Sequence, residues 1–141
     1  MPYKNILVAL ELNQQEKSLL KRAVELAECY QAGLHIVHVE PDLSGVYVGS
    51  LNMDLRKLKM KLRLESGHEI MQLLREEQHQ IASISLPSGD IRQAVRLAVQ
   101  EKQADLLICG HQLEHHFLGH FFSNAVGFLD ISDCDLLVVK L

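Results

Sequence analysis

The sequence predicts an α/β fold with a single open sheet of parallel strands and helices on both faces. Five apolar runs of strand length recur along the chain, separated by stretches with the periodicity of a helix. The runs are apolar almost throughout, which is typical of strands that are covered on both faces. Because 141 residues suit one compact unit, we expect residues 1–141 to form a single domain.

The first third of the chain predicts a βαβ unit. Residues 4–10 form a continuous apolar run closed by polar residues, and this pattern predicts the first strand. Asn13 and Glu16 have the spacing of a capping box, so a helix is expected to follow them. Gly33 stands where a left-handed residue would end that helix, and residues 34–39 predict the second strand.

The middle third begins with an irregular connection and continues with a long helix. Residues 40–53 contain a proline and two glycines and predict a loop over one edge of the sheet. Asp54 is expected to cap a helix that ends near Gln78, with Gly67 marking a bend in it. The run at 81–86 has few bulky residues, which indicates a strand at the edge of the sheet.

The last third predicts two more helices and two more strands. Asp90 is expected to cap a helix, and residues 105–109 predict a buried strand that ends at Gly110. A short helix over 123–132 and a last strand over 135–140 follow. In an open α/β sheet, ligands bind beyond the carboxyl ends of the strands. We therefore expect Gly110 and the segment after it to border any ligand.

Composition and charge exclude several classes of protein. A hydrophobic fraction of 48% and a charged fraction of 23% are ordinary for a globular domain, and a net charge of −4 favours neither nucleic acid nor anionic lipid. Three cysteines without a CxxC motif predict no disulfide framework and a reducing, cytoplasmic location. Cys29 and Cys109 are expected to be small buried side chains. No apolar run has the length of a membrane span, so we expect no membrane insertion.

Few motifs point to catalysis. The sequence has neither a GxGxxG nor a P-loop motif, and the pattern of Gly110, Gly119 and Ser123 is a weak signal for a phosphate site. The other interpretation is that Gly110 turns the chain and Ser123 caps a helix. No serine lies in a nucleophile elbow, and no cysteine has a partner histidine at a known spacing. We predict no catalytic residue and no enzyme activity.

Two charged or polar clusters have simpler explanations. Four histidines between residues 111 and 120 include two i, i+4 pairs that would share a metal if they lay on a helix. These are His111, His115, His116 and His120. An exposed polar loop explains them better, and we predict no metal site. A basic run on the long helix indicates a solvated outer face, with docking to an acidic partner as the alternative. This run is Arg56, Lys57, Lys59, Lys61 and Arg63.

Taken together, five segments resemble the universal stress protein family, in the branch around universal stress protein A and its close paralogue C. The segments are Tyr3–Leu10, Leu34–Val39, Ser88–Ile91, Asp105–His111 and Asp135–Val139. The resemblance implies a strand order of 3-2-1-4-5. It also implies a homodimer in which the last strands of two subunits pair antiparallel. The interface residues would then be Leu136, Leu137, Val138 and Val139.

The same resemblance bears on nucleotide binding. Family members that bind nucleotides carry an aspartate after the first strand and a Gly-x2-Gly-x9-Gly-Ser/Thr run after the fourth. Here Glu11 takes the aspartate position and Gly110 matches the first glycine. Leu113 replaces the second glycine, the acid Glu114 follows it, and Phe122-Ser123 replaces the last pair. A bulky side chain and a carboxylate would obstruct and repel a phosphate.

The resemblance therefore implies a dimeric, cytoplasmic stress-response protein that acts through contacts with protein partners. It would need no cofactor and would not bind ATP by the family motif. The alternative is an adenine-nucleotide-binding stress switch with weak or no hydrolysis, which takes ATP or AMP. In that case Glu11 and Val39 would hold the adenosine, and Gly110 and Ser123 would hold the phosphates.

Overall fold

A computed structural model describes residues 3–12, 16–40, 54–75, 77, 79, 81–111 and 133–141. Within these residues there are five strands and three helices. In chain order they are β1 Asn5–Ala9, α1 Glu16–Tyr30, β2 Gly33–Val37, α2 Leu55–Leu74, β3 Ile81–Ser85, α3 Ile91–Lys102, β4 Leu106–His111 and β5 Asp135–Lys140. The predicted helix over 123–132 and the capping residue Asn13 lie outside the described residues.

The strands form one parallel sheet in the order β3-β2-β1-β4-β5. This order confirms the prediction, and it confirms that the third strand lies at an edge. β1 is central because it pairs with β2 on one side and β4 on the other. Its residues are almost completely buried, which explains why its sequence is apolar without alternation.

Helices cover both faces of the sheet, as predicted. On one face, Leu20, Ala23 and Val24 of α1 and Ile70 of α2 pack against alternate strand residues. On the other face, three residues of α3 pack against the remaining strand residues, Leu7 among them. These three are Val95, Ala98 and Val99. The period-two alternation of each strand thus divides the apolar core into two layers.

The starts of two helices agree with the sequence, whereas the turn after α1 differs from its prediction. Asp54 and Asp90 cap α2 and α3 as predicted, each accepting a hydrogen bond from a backbone N–H of the first turn. The left-handed residue after α1 is Gln31, with a φ of 53°, and not Gly33. Gly33 already belongs to β2, where its N–H donates to the carbonyl of Lys4 at 2.9 Å. The chain must therefore turn two residues earlier than predicted.

Helix α2 also differs from its prediction in length. It runs without interruption through Gly67 and ends at Leu74, four residues before Gln78. The backbone N–H of Arg75 bonds to the carbonyl of Gln72, which closes the last turn. The helix buries only Ser66 and Ile70, so it is a surface helix over most of its length.

The amino end of the sheet is closed by hydrogen bonds that join neighbouring strands. Asp105 accepts from the N–H groups of Lys4, at 2.9 Å, and of Asn5, at 3.1 Å. The Tyr3 hydroxyl donates to Asp135 at 2.7 Å, which links the start of β1 to the start of β5. The two contacts of Asp105 provide partners for backbone N–H groups where β1 begins.

A second set of contacts crosses β1, β2 and β3 at the same end. His35 Nδ1 lies 2.7 Å from the hydroxyl of Ser83, and its Nε2 lies 3.3 Å from Oδ1 of Asn5. Burial, and next the positive charge of Lys102, lower the pKa of His35 below its ordinary value. The neutral ring therefore donates from Nε2 to Asn5 and accepts at Nδ1 from Ser83.

Candidate functional site

The carboxyl ends of β1 and β2 form the best-defined part of the expected ligand crevice. Beyond the strands, the N–H of Leu10 donates to the carbonyl of Val37 at 2.9 Å, and the N–H of Glu40 donates to that of Pro87 at 2.6 Å. The pairing thus continues past the last residues of the strands and holds the backbone at the crevice edge in place.

Two of the four predicted cofactor residues lie at this end of the sheet. Glu11 follows β1 and is half-buried, and burial raises the pKa of its carboxyl above the ordinary value. Val39 follows β2 and packs against the core layer on the α3 side. Since β1 and β2 are parallel neighbours, both residues lie at the same carboxyl end of the sheet. Ser123 lies outside the described residues, as do Leu113, Glu114 and Phe122.

Gly110, the third of these residues, does not end its strand as predicted. β4 continues to His111, because Gly110 pairs with Val139 of β5 and His111 pairs with Lys140. A Cβ at Gly110 would lie 2.5 Å from Cδ1 of Leu141 and 3.4 Å from Cδ2 of Leu19. A side chain at this position would therefore require the Leu141 side chain to move, and glycine avoids that contact.

His38 and Glu40 form a pair that the sequence did not single out. His38 Nδ1 lies 2.8 Å from the carbonyl of Leu10, so this nitrogen carries the hydrogen and donates it. Its Nε2 lies 3.9 Å from Oε2 of Glu40. Glu40 is only 5% exposed, and its Oε1 has no hydrogen-bond partner among the described residues. A glutamate directly after an apolar strand was the available signal.

A second concave feature is a groove beside β3, the strand at one edge of the sheet. This groove has a volume of about 700 Å³ and runs between β3, the turn after it, and α3. Arg63 of α2 contributes to its rim, and Ile84 and Leu97 contribute apolar surface. Of the residues predicted to hold a nucleotide, the three that the structure describes, Glu11, Val39 and Gly110, do not line it.

The described residues cover the metal prediction only in part and the cysteine predictions in full. Across the described ranges, no group of three or more histidine, cysteine or acidic residues could hold a metal ion. Of the four histidines of the suspected cluster, three lie outside these ranges. None of the three cysteines, all of which are described, forms a disulfide. Cys109 is buried as predicted, but Cys29 is exposed, since it lies two residues beyond Ala27 and thus on the outer side of α1.

Comparisons with known proteins agree with the fold. Universal stress protein A of Escherichia coli strain K12 is 29% identical over 141 residues, which are 100% of this chain and 96% of that protein. Universal stress protein UspA from Lactobacillus plantarum is 21% identical, with a TM-score of 0.74 and coverage of 99% of both chains. A universal stress protein from Archaeoglobus fulgidus in complex with dAMP is 18% identical, with a TM-score of 0.63, covering 99% of this chain and 100% of that one. At these identities, the two structures are evidence of a shared fold only.

The sheet order and the crevice at its carboxyl end define a Rossmann-like fold of the adenine nucleotide α hydrolase type. Within that class, the chain belongs to the universal stress protein family, whose model matches residues 2–140. Both conclusions confirm what the sequence predicted. In addition, no helix in the described ranges combines the length and apolarity needed to cross a bilayer.

Proposed function

We propose that this chain acts in the stress response as a cytoplasmic homodimer that binds protein partners and has no catalytic activity of its own. Membership of the universal stress protein family supports the stress-response role. Three cysteines without a disulfide suit a reducing compartment. We further propose that residues 1–141 form one domain.

The proposal of a dimer rests on the edge position and the apolar side chains of β5. This strand pairs with β4 and lies at the end of the strand order, so its other edge is open among the described strands. Val138 is 38% exposed, and Leu136 and Leu137 are half-buried. An apolar edge strand of this kind pairs readily with another strand. Antiparallel pairing of two copies of β5 would satisfy the open edge and bury these side chains.

The dimer is tested at Val138. A Val138→Lys variant places a charge on the edge strand and is expected to be a monomer, because two like charges would meet in the symmetric interface. Val138→Thr keeps the branched shape without a charge and is the matched control. Light scattering coupled to size-exclusion chromatography measures the mass of each. A Val138→Lys variant with the mass of a dimer would show that the interface lies elsewhere.

A second candidate function is binding of an adenine nucleotide. It is supported by the position of Glu11 and Val39 at the carboxyl ends of adjacent strands, and by the dAMP bound to the Archaeoglobus fulgidus protein. The internal packing of Gly110 and the bulky Leu113 favour the first candidate. In the second candidate, Gly110 and Ser123 would hold the phosphates.

Native mass spectrometry of freshly purified protein separates the two candidates. The first predicts the mass of the bare dimer, with no nucleotide in the released small-molecule fraction. Stoichiometric ATP or AMP would overturn it in favour of the nucleotide switch. In that event, Glu11→Gln tests whether the crevice holds the ligand, with Glu25→Gln on the outer side of α1 as the matched control.

A further inference from the structure

Helix α2 has an exposed apolar side that its own packing does not explain. Three of the seven exposed large hydrophobic side chains in the described part of the chain lie on this helix. Met60 is 64% exposed, Leu64 is 70% exposed and Met71 is 57% exposed. The buried side of the helix is represented by Ser66 and Ile70. The three apolar side chains therefore lie beside the buried side of the helix and are open to solvent.

These side chains lie in one line along the helix. Met60, Leu64, Gly67 and Met71 are separated by four, three and four residues, which is the spacing of the seam in a helix pair. We call these four residues the α2 seam. Such a seam packs into the grooves of a second helix, and its members meet that helix at every turn.

A helix contact at the α2 seam explains the glycine at position 67 better than packing within the fold does. Among the described residues, a Cβ at this position would meet only Cδ1 of Leu86, at an ordinary contact distance of 3.9 Å, so these surroundings would accept alanine. Glycine in the middle of a helix lowers its stability relative to alanine. What glycine offers here is a gap between Leu64 and Met71, where a partner helix could approach closely.

The charges beside the seam have one sign. At 100° per residue, Arg56 and Arg63 lie on one side of the seam, and Lys57 and Lys61 lie on the other. All four are exposed, and none forms an ion pair within the described residues. The acidic residues of this helix, Glu65 and Glu69, point away from the seam. A complementary surface must therefore be acidic.

We propose that the α2 seam is the docking site for an acidic amphipathic helix of a partner protein. The apolar side of the partner would pack on Met60, Leu64 and Met71, and its carboxylates would lie beside the flanking basic residues. Methionine suits such a surface because its unbranched side chain adapts to different partners. The inference deepens the proposed role in protein contacts, but it does not depend on the β5 dimer.

The test uses a defined probe, a fluorescent helical peptide of about three heptads with leucine at the seam positions and glutamate beside them. We expect saturable binding to the full-length protein by fluorescence anisotropy. Leu64→Glu should weaken binding by about tenfold or more, because it places a charge in the apolar centre of the interface. Leu97→Glu, which changes an exposed leucine of α3 in the same way, is the matched control and should bind like the unmodified protein.

Two further measurements remove ambiguity about folding and charge. Gly67→Ala is expected to raise the midpoint of thermal unfolding and yet to weaken binding of the peptide. A purely structural role of Gly67 would not produce this combination. Replacing Lys57 and Lys61 by glutamine should reduce both the affinity and its decline with added salt. The matched control is Lys21→Gln together with Arg22→Gln on the exposed side of α1.

Three outcomes would overturn the proposal. One is a lack of saturable binding, and another is equal affinity for Leu64→Glu and Leu97→Glu. The third is a halved mass of Leu64→Glu in light scattering, which would identify the seam as a contact between copies of this chain. Val138→Lys distinguishes the proposals, since it tests the β5 dimer and leaves the α2 seam unchanged.

Discussion

Both ends of the parallel sheet carry carboxyl groups and a histidine, but the hydrogen bonds of these groups differ between the two ends. At the amino end, Asp105 accepts two backbone N–H groups, and His35 has partners on both ring nitrogens. At the carboxyl end, Glu11 is half-buried with a raised pKa, and Glu40 is almost completely buried with one oxygen lacking a described partner. The amino end is closed by these hydrogen bonds, whereas the carboxyl end holds one carboxyl group whose pKa is raised by burial and another with an oxygen that lacks a described partner.

This difference bears on the free energy of folding at the two ends. A satisfied buried polar network stabilises the folded state, whereas an incompletely paired buried carboxylate costs free energy. Ligands of open α/β sheets bind at the carboxyl end, which is where the incompletely paired Glu40 lies. The contrast teaches that side-chain type alone is a poor guide to role, and that the partners of each group decide it.

The largest effect is expected at Asp105. Asp105→Ala removes the acceptor of two backbone N–H groups and should lower the free energy of unfolding by about 2 kcal/mol. Asp105→Asn keeps one acceptor oxygen and should lose about half as much. Urea denaturation followed by circular dichroism measures both. An Asp105→Ala variant as stable as the unmodified protein would show that water replaces the carboxylate at no cost.

The same change from acid to amide should have the opposite sign at the carboxyl end. Glu40→Gln replaces an almost completely buried carboxyl group by an amide of the same shape, which would lie about 3.9 Å from the Nε2 of His38, the ring nitrogen that does not donate to the carbonyl of Leu10. We expect the free energy of unfolding to stay constant or to rise by up to about 1 kcal/mol. The measurement is the same urea titration, with Asp105→Asn as the matched comparison. Equal losses in both variants would contradict the distinction between the two ends.

A smaller, pH-dependent effect is expected from His35. Because its pKa is lowered in the folded state, the unfolded chain takes up more protons as the pH falls through 6.5. The contribution of the neutral ring to stability is therefore complete above that pH and declines below it. In urea titrations at several pH values, His35→Gln should show a shallower decline than the unmodified protein.

His68 of α2 supplies the control for this titration. It is exposed, and its contact is with Gln72 one turn away on the same helix. His68→Gln should follow the pH profile of the unmodified protein. If His35→Gln also follows that profile, the hydrogen bonds of His35 at the amino end do not depend on its charge.

Local sequence signals were reliable where one interaction dominates. Asp54 and Asp90 cap their helices as predicted, since a cap depends on residues within one turn. The left-handed residue after α1 was misplaced at Gly33, because Gly33 already pairs within β2 and the turn must come before it, at Gln31. The end of β4 was also predicted too early, because Gly110 and His111 pair with β5, which is distant in the chain.

The order of apolar runs and helical stretches determined the α/β class, because the period of hydrophobic residues is a local property of the chain. The strand order followed from resemblance to a family, and the model of that family matches almost the whole chain. The hydrogen-bond partners of the polar groups could not be deduced from the local pattern or from the resemblance. The partners of His38 and Glu40, and the exposed seam of α2, depend on how separate elements pack in space.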